Sequence, residues 1–325
     1  MTTVDVDIQD VSTFARTVPG RLIANGFNVG ALRTNALLHK DEWEELDTMI
    51  VQIAADELNG ILDLRQFGLT VNLGGLGTIV SQYEQVSDMT PANVNMAAET
   101  DDAEDRVEFP LVGVPVPIIS KPFRFDIRTL SASRQAGSGI DMTHAETATR
   151  KVAEGLENML FNGSTVMHRG GTIYGYLNAP ARNPVTGATW TTATNIYPNI
   201  TAMQAALRND NYRGPYRLYL GTTAFMQTLA LIPNTSETYR DAIERLPGMG
   251  PGSVRESHYV PAGQGVMVTM RRDVVDLAIG QEIVPLEWEA KGGLLVFYKV
   301  FCAMVPRIKA DAAGRSGVVH LTGIA

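Results

Sequence analysis

The stretch from Lys121 to Gly163, KPFRFDIRTLSASRQAGSGIDMTHAETATRKVAEGLENMLFNG, constrains the fold more than any other. It reads as an extended strand, a glycine-bearing turn and one long amphipathic helix that stops at Gly163. At 100° per residue, Ala145, Ala148, Thr149, Val152, Ala153, Leu156, Met159 and Leu160 share one face. Glu146, Arg150, Glu154 and Glu157 fall on the other, with Glu146–Arg150 and Arg150–Glu154 at i,i+4 spacing. Asp141 or Thr143 can cap the helix, and Thr143-x-x-Glu146 has capping-box spacing. Small residues on the apolar face permit close approach to an underlying sheet. A rigid beam of this kind serves a structural subunit, and no catalytic group requires it.

The sequence around this beam alternates helix and strand signals. Asp41-Glu42-Trp43-Glu44 opens a helix with a capping-box pattern, Trp43, Leu46, Ile50 and Ile53 repeat at helical spacing, and Gly60 is expected to close it. Short alternating runs occupy 61–83. The glycines Gly74, Gly75 and Gly77 match neither GxGxxG nor a following GK[ST], so they read as a turn rather than a phosphate loop. Residues 84–128 read as a two-stranded excursion. Pro110, Pro115, Pro117 and Pro122 on its return side cannot donate to a ladder, which marks an edge or a projecting arm. Further on, PYRLYLG, GVMVTM and VVDLAIG read as strands, TTAFMQTLALI and ETYRDAIERL as helices, and PGMGPGSVRESH as a loop. Residues 281–325 are almost purely strand-like. The fold class is therefore α+β.

Charge is distributed unevenly. The net charge of −8 argues against a general nucleic-acid binder. Residues 11–40 nevertheless hold no Asp or Glu and carry Arg16, Arg21, Arg33 and Lys40. Residues 1–40 show no sustained periodicity, so they read as an arm that packs against a neighbour. Glu99, Asp101, Asp102, Glu104 and Asp105 form an acidic tip on the excursion; their spacing is not that of a calcium loop.

The residues offer no chemistry. His39, His144, His168, His258 and His320 are scattered, with no HExxH, HxH or i,i+4 pair, so no metal or other cofactor is expected. No GxSxG elbow occurs. Cys302, the only cysteine, lies in the apolar run LLVFYKVFCAMV and reads as a buried inert thiol in a reducing compartment. No apolar run reaches the length of a membrane helix, and the N-terminus has no secretory signal pattern. The chain is not expected to be an enzyme.

Taken co-linearly, DEWEELD, the FRFDIRTLSAS…ENMLFNG stretch, GPYRLYLGTTAF, DAIERLPGMG, VVDLAIGQEI and VFYKVFCAMVPRIKADAAGRSGVVHLTG resemble the Hong Kong 97-type shell proteins. These are the tailed-phage major capsid proteins and the related bacterial encapsulins. The resemblance implies an N-arm at 1–40 and an extended loop at 79–128 lying over a neighbouring subunit. It implies a peripheral domain from 41–78, 129–164 and 281–325, with a spine helix at about 140–162, and an axial domain at 165–280. Val152, Leu156 and Leu160 become the core face of the spine. The acidic tip and the arm residues Arg16, Arg21 and Arg33 become assembly contacts.

The implied function is self-assembly of hexamers and pentamers into an icosahedral shell without turnover. The long arm and the acidic-tipped loop favour a phage capsid enclosing double-stranded DNA. That reading brings non-specific DNA contact, portal, scaffold or decoration proteins as partners, assembly in a bacterial cytoplasm and a place in the virion, with no membrane. The alternative is an encapsulin nanocompartment holding a protein cargo. Some members of the fold cross-link Lys to Asn; residues 264–325 contain no Asn, so a non-covalent shell is expected.

Overall fold

The structure, a computed structural model, describes residues 58–85, 110–126, 143–290, 295–311 and 313–325, with Met49 as a single helical position. The first helix expected from Asp41, the arm arginines Arg16, Arg21 and Arg33, and the acidic tip Glu99–Asp105 lie outside the described residues, Met49 excepted.

Two sheets organise what is described. The first has four strands in the order β1 (Thr70–Asn72), β11 (Val275–Ala290), β12 (Leu295–Ile308) and β4 (Ile118–Asp126). Strands β11 and β12 pair antiparallel, with register shifts between Ile279 and Val284. The proline-rich return strand splits: β3 (Leu111–Pro115) pairs with β2 (Val80–Glu84), and β4 then joins β12 as an edge. Pro122 is tolerated there because an edge strand need not donate on its outer side.

The long helix α2 (Thr143–Asn162) lies across β12 and β4. All eight residues assigned to its apolar face are buried, and Val152, Leu156 and Leu160 are almost fully so. Each large side chain on that face contributes about 1.5–3 kcal/mol through burial. The helix stops where Gly163 takes φ +71°, a left-handed C-terminal turn that a Cβ would obstruct by meeting the Ile173 carbonyl at 2.5 Å. One face residue differs from the sequence expectation. Glu157, read as solvent-facing, is 2% exposed. The last turns of α2 are covered on two sides, so the buried arc there is wider than the single apolar stripe.

The second covering element is helix α1 (Asn59–Gln66). Sequence periodicity placed a helix end at Gly60 and strand-like runs after it. Instead Gly60 sits in the first turn of α1. A Cβ there would meet Leu160 Cδ2 at 2.6 Å and Glu157 Oε1 at 2.9 Å, so the residue is a close-packing glycine and not a terminator.

The second sheet has five strands, in the order β7 (Asn183–Thr186), β13 (Val318–Thr322), β10 (Gln264–Thr269), β8 (Tyr216–Leu220) and β9 (Val254–Glu256). Helix α3 (Ile196–Asn209) packs on it, α4 (Thr222–Thr228) lies beside β8 and β9, and α5 (Tyr239–Glu244) packs against α3 and β9. Helix α5 carries the capping box of Thr238 and Asp241. Two details depart from the sequence reading. Residues 254–256, read as loop, form β9 parallel to β8. The closing strand β13 pairs with β7 and β10 and not with the β11–β12 sheet to which the range 281–325 assigned it. Long-range register decided both, and local composition does not record it. One continuous apolar core joins the two sheets through α1 and α2.

Candidate assembly joints

Helix α1 is eight residues long and is bonded to the long helix and to both sheets. At its N-terminus Leu58 supplies no side-chain cap. The orphan amides are met instead by Glu157 from α2: Gly60 N–H donates to Oε1 at 2.6 Å and Ile61 N–H to Oε2 at 3.2 Å. A carboxyl at this position also faces the positive end of the helix dipole. One turn on, the fully buried Asp63 accepts from the Tyr219 hydroxyl of β8 at 2.9 Å. The same carboxylate forms ion pairs with Arg217 of β8 (3.4 Å) and Arg255 of β9 (3.1 Å). At the end of the helix Arg65 donates through both Nη atoms to Glu282 of β11 at 3.0 and 2.5 Å. Glu282 lies where the β11–β12 register shifts. α1 thus ties the long helix, the five-stranded sheet and the four-stranded sheet together.

An aromatic cluster fills the space beside this joint. Phe161 meets Tyr176 and Tyr219 edge-on, at 5.6 and 5.2 Å between ring centroids, and the two tyrosines stack at 6.1 Å. Burial pushes both phenols well above their ordinary range. The same dryness acts on Glu157. Burial raises it to about 7, against the lowering effect of the two amides, and Asp63 adds a smaller rise.

A second joint anchors the root of the excursion. Arg307 of β12 is buried and bidentate to Asp276 of β11, at 2.6 Å on each oxygen, and its Nη1 donates to Ser81 Oγ of β2 at 2.9 Å. Lys309 reaches Asp276 Oδ2 at 2.7 Å. Both cations lie over the Tyr83 ring. Gln85 Nε2 donates to the Ala310 and Asp311 carbonyls at 2.8 and 2.9 Å. Strand β2 and Gln85 are thus fixed to β11, β12 and the segment after β12, around a buried, fully committed ion pair. Beside it, a groove of about 740 Å³ is lined by Tyr83, Leu111, Arg169, Tyr174 and Lys309, among others.

The site residues named from sequence separate into two groups. Val152, Leu156 and Leu160 are brought together in the interior of the subunit. The acidic tip and the arm arginines lie outside the described residues. Sequence reading missed Asp63, Asp276 and Arg307; an isolated charge amid apolar strand or helix residues was the available signal, as in VVDLAIG and MVPRIKA. Cys302 is buried, and its thiol is pushed up to about 12, which fits an inert group. Among the described residues, no cluster of His, Cys, Asp and Glu could hold a metal ion. Among them, too, no helix is long and apolar enough to cross a membrane.

Residues 31–284 match the family described as encapsulating protein for peroxidase (Linocin_M18). The type 1 encapsulin shell protein EncA of Myxococcus xanthus is 24% identical over 250 residues, covering 76% of this chain and 82% of that protein. A diheme-cytochrome-encapsulin shell fusion protein of Kuenenia stuttgartiensis is 21% identical over 276 residues, 85% of this chain and 72% of the relative. Among solved structures, the virus-like particle from Pyrococcus furiosus aligns with a TM-score of 0.64 at 14% identity, covering 86% of this chain and 98% of that one. The capsid of Myoviridae phage XM1 aligns with a TM-score of 0.62 at 13% identity, covering 80% of this chain and 91% of that one.

Proposed function

Because the chain belongs to the family of encapsulating proteins for peroxidase, we propose that it is the shell subunit of an encapsulin-type nanocompartment that encloses a protein cargo. The fold is the Hong Kong 97-type α+β fold of shell proteins, and the role is structural: a subunit that assembles with copies of itself. The observation that carries the cargo reading is the family match across residues 31–284. The Myxococcus xanthus relative, itself an encapsulin shell protein, supports it. The likeness to a phage capsid is one of fold alone, at 13% identity. The DNA-filled capsid, put first on the length of the arm and the acidic loop, therefore gives way to its alternative. Portal, scaffold and DNA partners, and a place in the virion, belong to the capsid reading; the encapsulin reading puts the compartment in the cell.

In this reading residues 1–40 form the intersubunit arm, and the extended loop over a neighbour is narrower than 79–128: it is the part between β2 and β3, because β4 is held in the subunit's own sheet. The axial domain at 165–280, which supplies four of the five strands of the second sheet, meets its symmetry mates at the shell axes. Arg16, Arg21 and Arg33, with the acidic tip Glu99, Asp101, Asp102, Glu104 and Asp105, supply contacts between copies. Particles purified from the native cell and treated with nuclease test the reading. Closed shells with a co-purifying protein inside support it. Protected double-stranded DNA of genome length overturns the cargo, and a monomer at high concentration overturns the shell.

A further inference from the structure

Beside the second joint two short hairpins stand against each other. Strand β6 (Gly171–Ile173) lies along β3, and a Cβ on Gly171 would meet the Gly113 carbonyl at 2.6 Å. The hairpin of β5 (Ser164–His168) and β6 is thereby pressed onto the β2–β3 pair. The groove of about 740 Å³ is lined by both hairpins and by the segment after β12. Two large apolar side chains in its lining stay open to water, Leu111 at 63% and Tyr174 at 40% exposure. The β5–β6 hairpin also exposes Val166 and Met167. Two-stranded ribbons are marginal in water by themselves, so a surface of this kind calls for a partner.

Arg169 is the charge that this groove leaves uncommitted. Lys309 is engaged by Asp276 and by the Arg272 carbonyl, and Asp311 by Arg315. Arg169 is exposed and, among the described residues, has no hydrogen-bond or ion-pair partner. Its backbone is also unusual for an arginine. The turn between β5 and β6 is Arg169-Gly170, with φ at +49° and +78°. Asn or Gly is the usual first residue of such a turn, because left-handed geometry crowds the Cβ of other residues. The chain keeps a free cation in the groove lining where a small residue would suit the turn better.

We propose that this groove seats the acidic segment 99–105 of a neighbouring copy, with Arg169 as the cation that receives it. The proposal rests on the reading of the loop as lying over a neighbour, and it names the surface on which the loop lies. Charge argues for the occupant. Between Gln85 and Pro110 the chain carries Asp88, Glu99, Asp101, Asp102, Glu104, Asp105 and Glu108 against Arg106 alone. The same stretch supplies Val94 and Met96 as apolar partners for Leu111 and Tyr174. Where the stretch begins and ends argues for a neighbour. Gln85 N–H donates to the Pro110 carbonyl at 2.9 Å, and Gln85 and Leu111 both line the groove. The loop is therefore rooted in the groove wall, and its own acids would have to double back over that root to enter. Glu99 lies eleven residues before Pro110, up to about 40 Å of extended chain, which is enough to reach another copy.

Cross-linking of the full chain tests this. Cys302 is buried, and its thiol is pushed up to about 12, so it does not compete for a thiol reagent. Arg169→Cys and Asp102→Cys are placed in separate copies, co-expressed and treated with a short bis-maleimide. A species of two linked chains is expected. It should be lost when Met226→Cys, exposed on α4, replaces Arg169→Cys. Equal linkage at the two positions overturns the assignment to the groove. Linkage only within one chain, seen when both cysteines share a copy, overturns the neighbour as occupant, and no linkage of either kind overturns the groove. Arg169→Asn separates assembly from folding. It suits the turn at least as well, so the melting temperature of the subunit is expected to be unchanged or higher, while particle yield falls several-fold. Full yield from Arg169→Asn overturns the role of the charge. Absence of particles from the wild type overturns the shell reading, and the two-chain link, read on the same samples, decides the groove independently.

Discussion

Glu157 and Gly60 lie 97 positions apart in the chain, yet the carboxyl of one accepts the amide hydrogen of the other at 2.6 Å. The contact exists because glycine lets two helix backbones approach, and the amide is free because α1 has no cap of its own. A single missing methyl thus brings a buried carboxyl to a helix N-terminus.

Gly60→Ala is the direct test of that geometry. Alanine would gain up to about 1 kcal/mol in helix propensity. It would also place a methyl 2.6 Å from Leu160 Cδ2 and 2.9 Å from Glu157 Oε1. Overpacking of this kind costs about 1–3 kcal/mol, and the Glu157–Gly60 bond must lengthen as well. A lower melting temperature is expected from calorimetry. An unchanged or raised one would mean that α1 and α2 separate freely.

How far the sequence reveals this joint depends on the range of the physics involved. The apolar face of α2 repeats every three or four residues, so Val152, Leu156 and Leu160 are legible from one helix alone. Glu157 is not, since its burial is imposed by α1, a helix 90 or more residues earlier. Gly60 misleads for the same reason. A glycine near the end of a periodic run reads as a terminator, and only the partner helix shows it to be a point of contact. The strands β9 and β13 fall in the same class, because their place in the sheet is fixed by register with β8 and β10. The acidic tip and the arm were legible as charge patterns only.

Arg307→Met tests the anchor at the root of the excursion. The substitution leaves the fully buried Asp276 with Lys309 as its remaining cation and removes the donor to Ser81 Oγ. Removing one partner of a buried pair costs about 3–5 kcal/mol, and the surviving Lys309 places the loss near the lower end. On the proposed reading, in which the loop between β2 and β3 lies over a neighbour, assembly should suffer more than folding. Electron microscopy is expected to show fewer or irregular particles. Uniform wild-type shells from Arg307→Met would show that the loop needs no fixed base.

His320 gives a prediction on the acid side. It lies on β13 with Nε2 2.9 Å from Gln264 Oε1, and its Nδ1 accepts from Arg182 Nε at 3.3 Å. That arrangement requires a neutral ring whose Nε2–H donates to Gln264. Burial, with the guanidinium beside it, lowers the His320 pKa. A histidine depressed in the folded state contributes stability above its unfolded value, about 6.5, and loses it as pH falls below that. Melting temperatures measured from pH 7.5 to pH 5 should fall more steeply for the wild type than for His320→Gln. The glutamine can still accept from Arg182 but does not titrate. Parallel curves would remove His320 from the acid response.

The shell is expected to be held without covalent links between subunits. A Lys–Asn cross-link needs a lysine carried outward by the loop and an asparagine to receive it. Within 79–128 the only lysine is Lys121, and 264–325 contains no asparagine. Lys121 sits opposite Val300 in β4, inside the four-stranded sheet and on the body side of the anchored root. It is exposed, but its backbone is committed to the ladder of its own subunit and cannot travel with the loop. Particles boiled in denaturant should therefore run as one 35.3 kDa species. A ladder of multiples would overturn this and would require an acceptor from outside 264–325, which mass analysis of the linked peptides would locate.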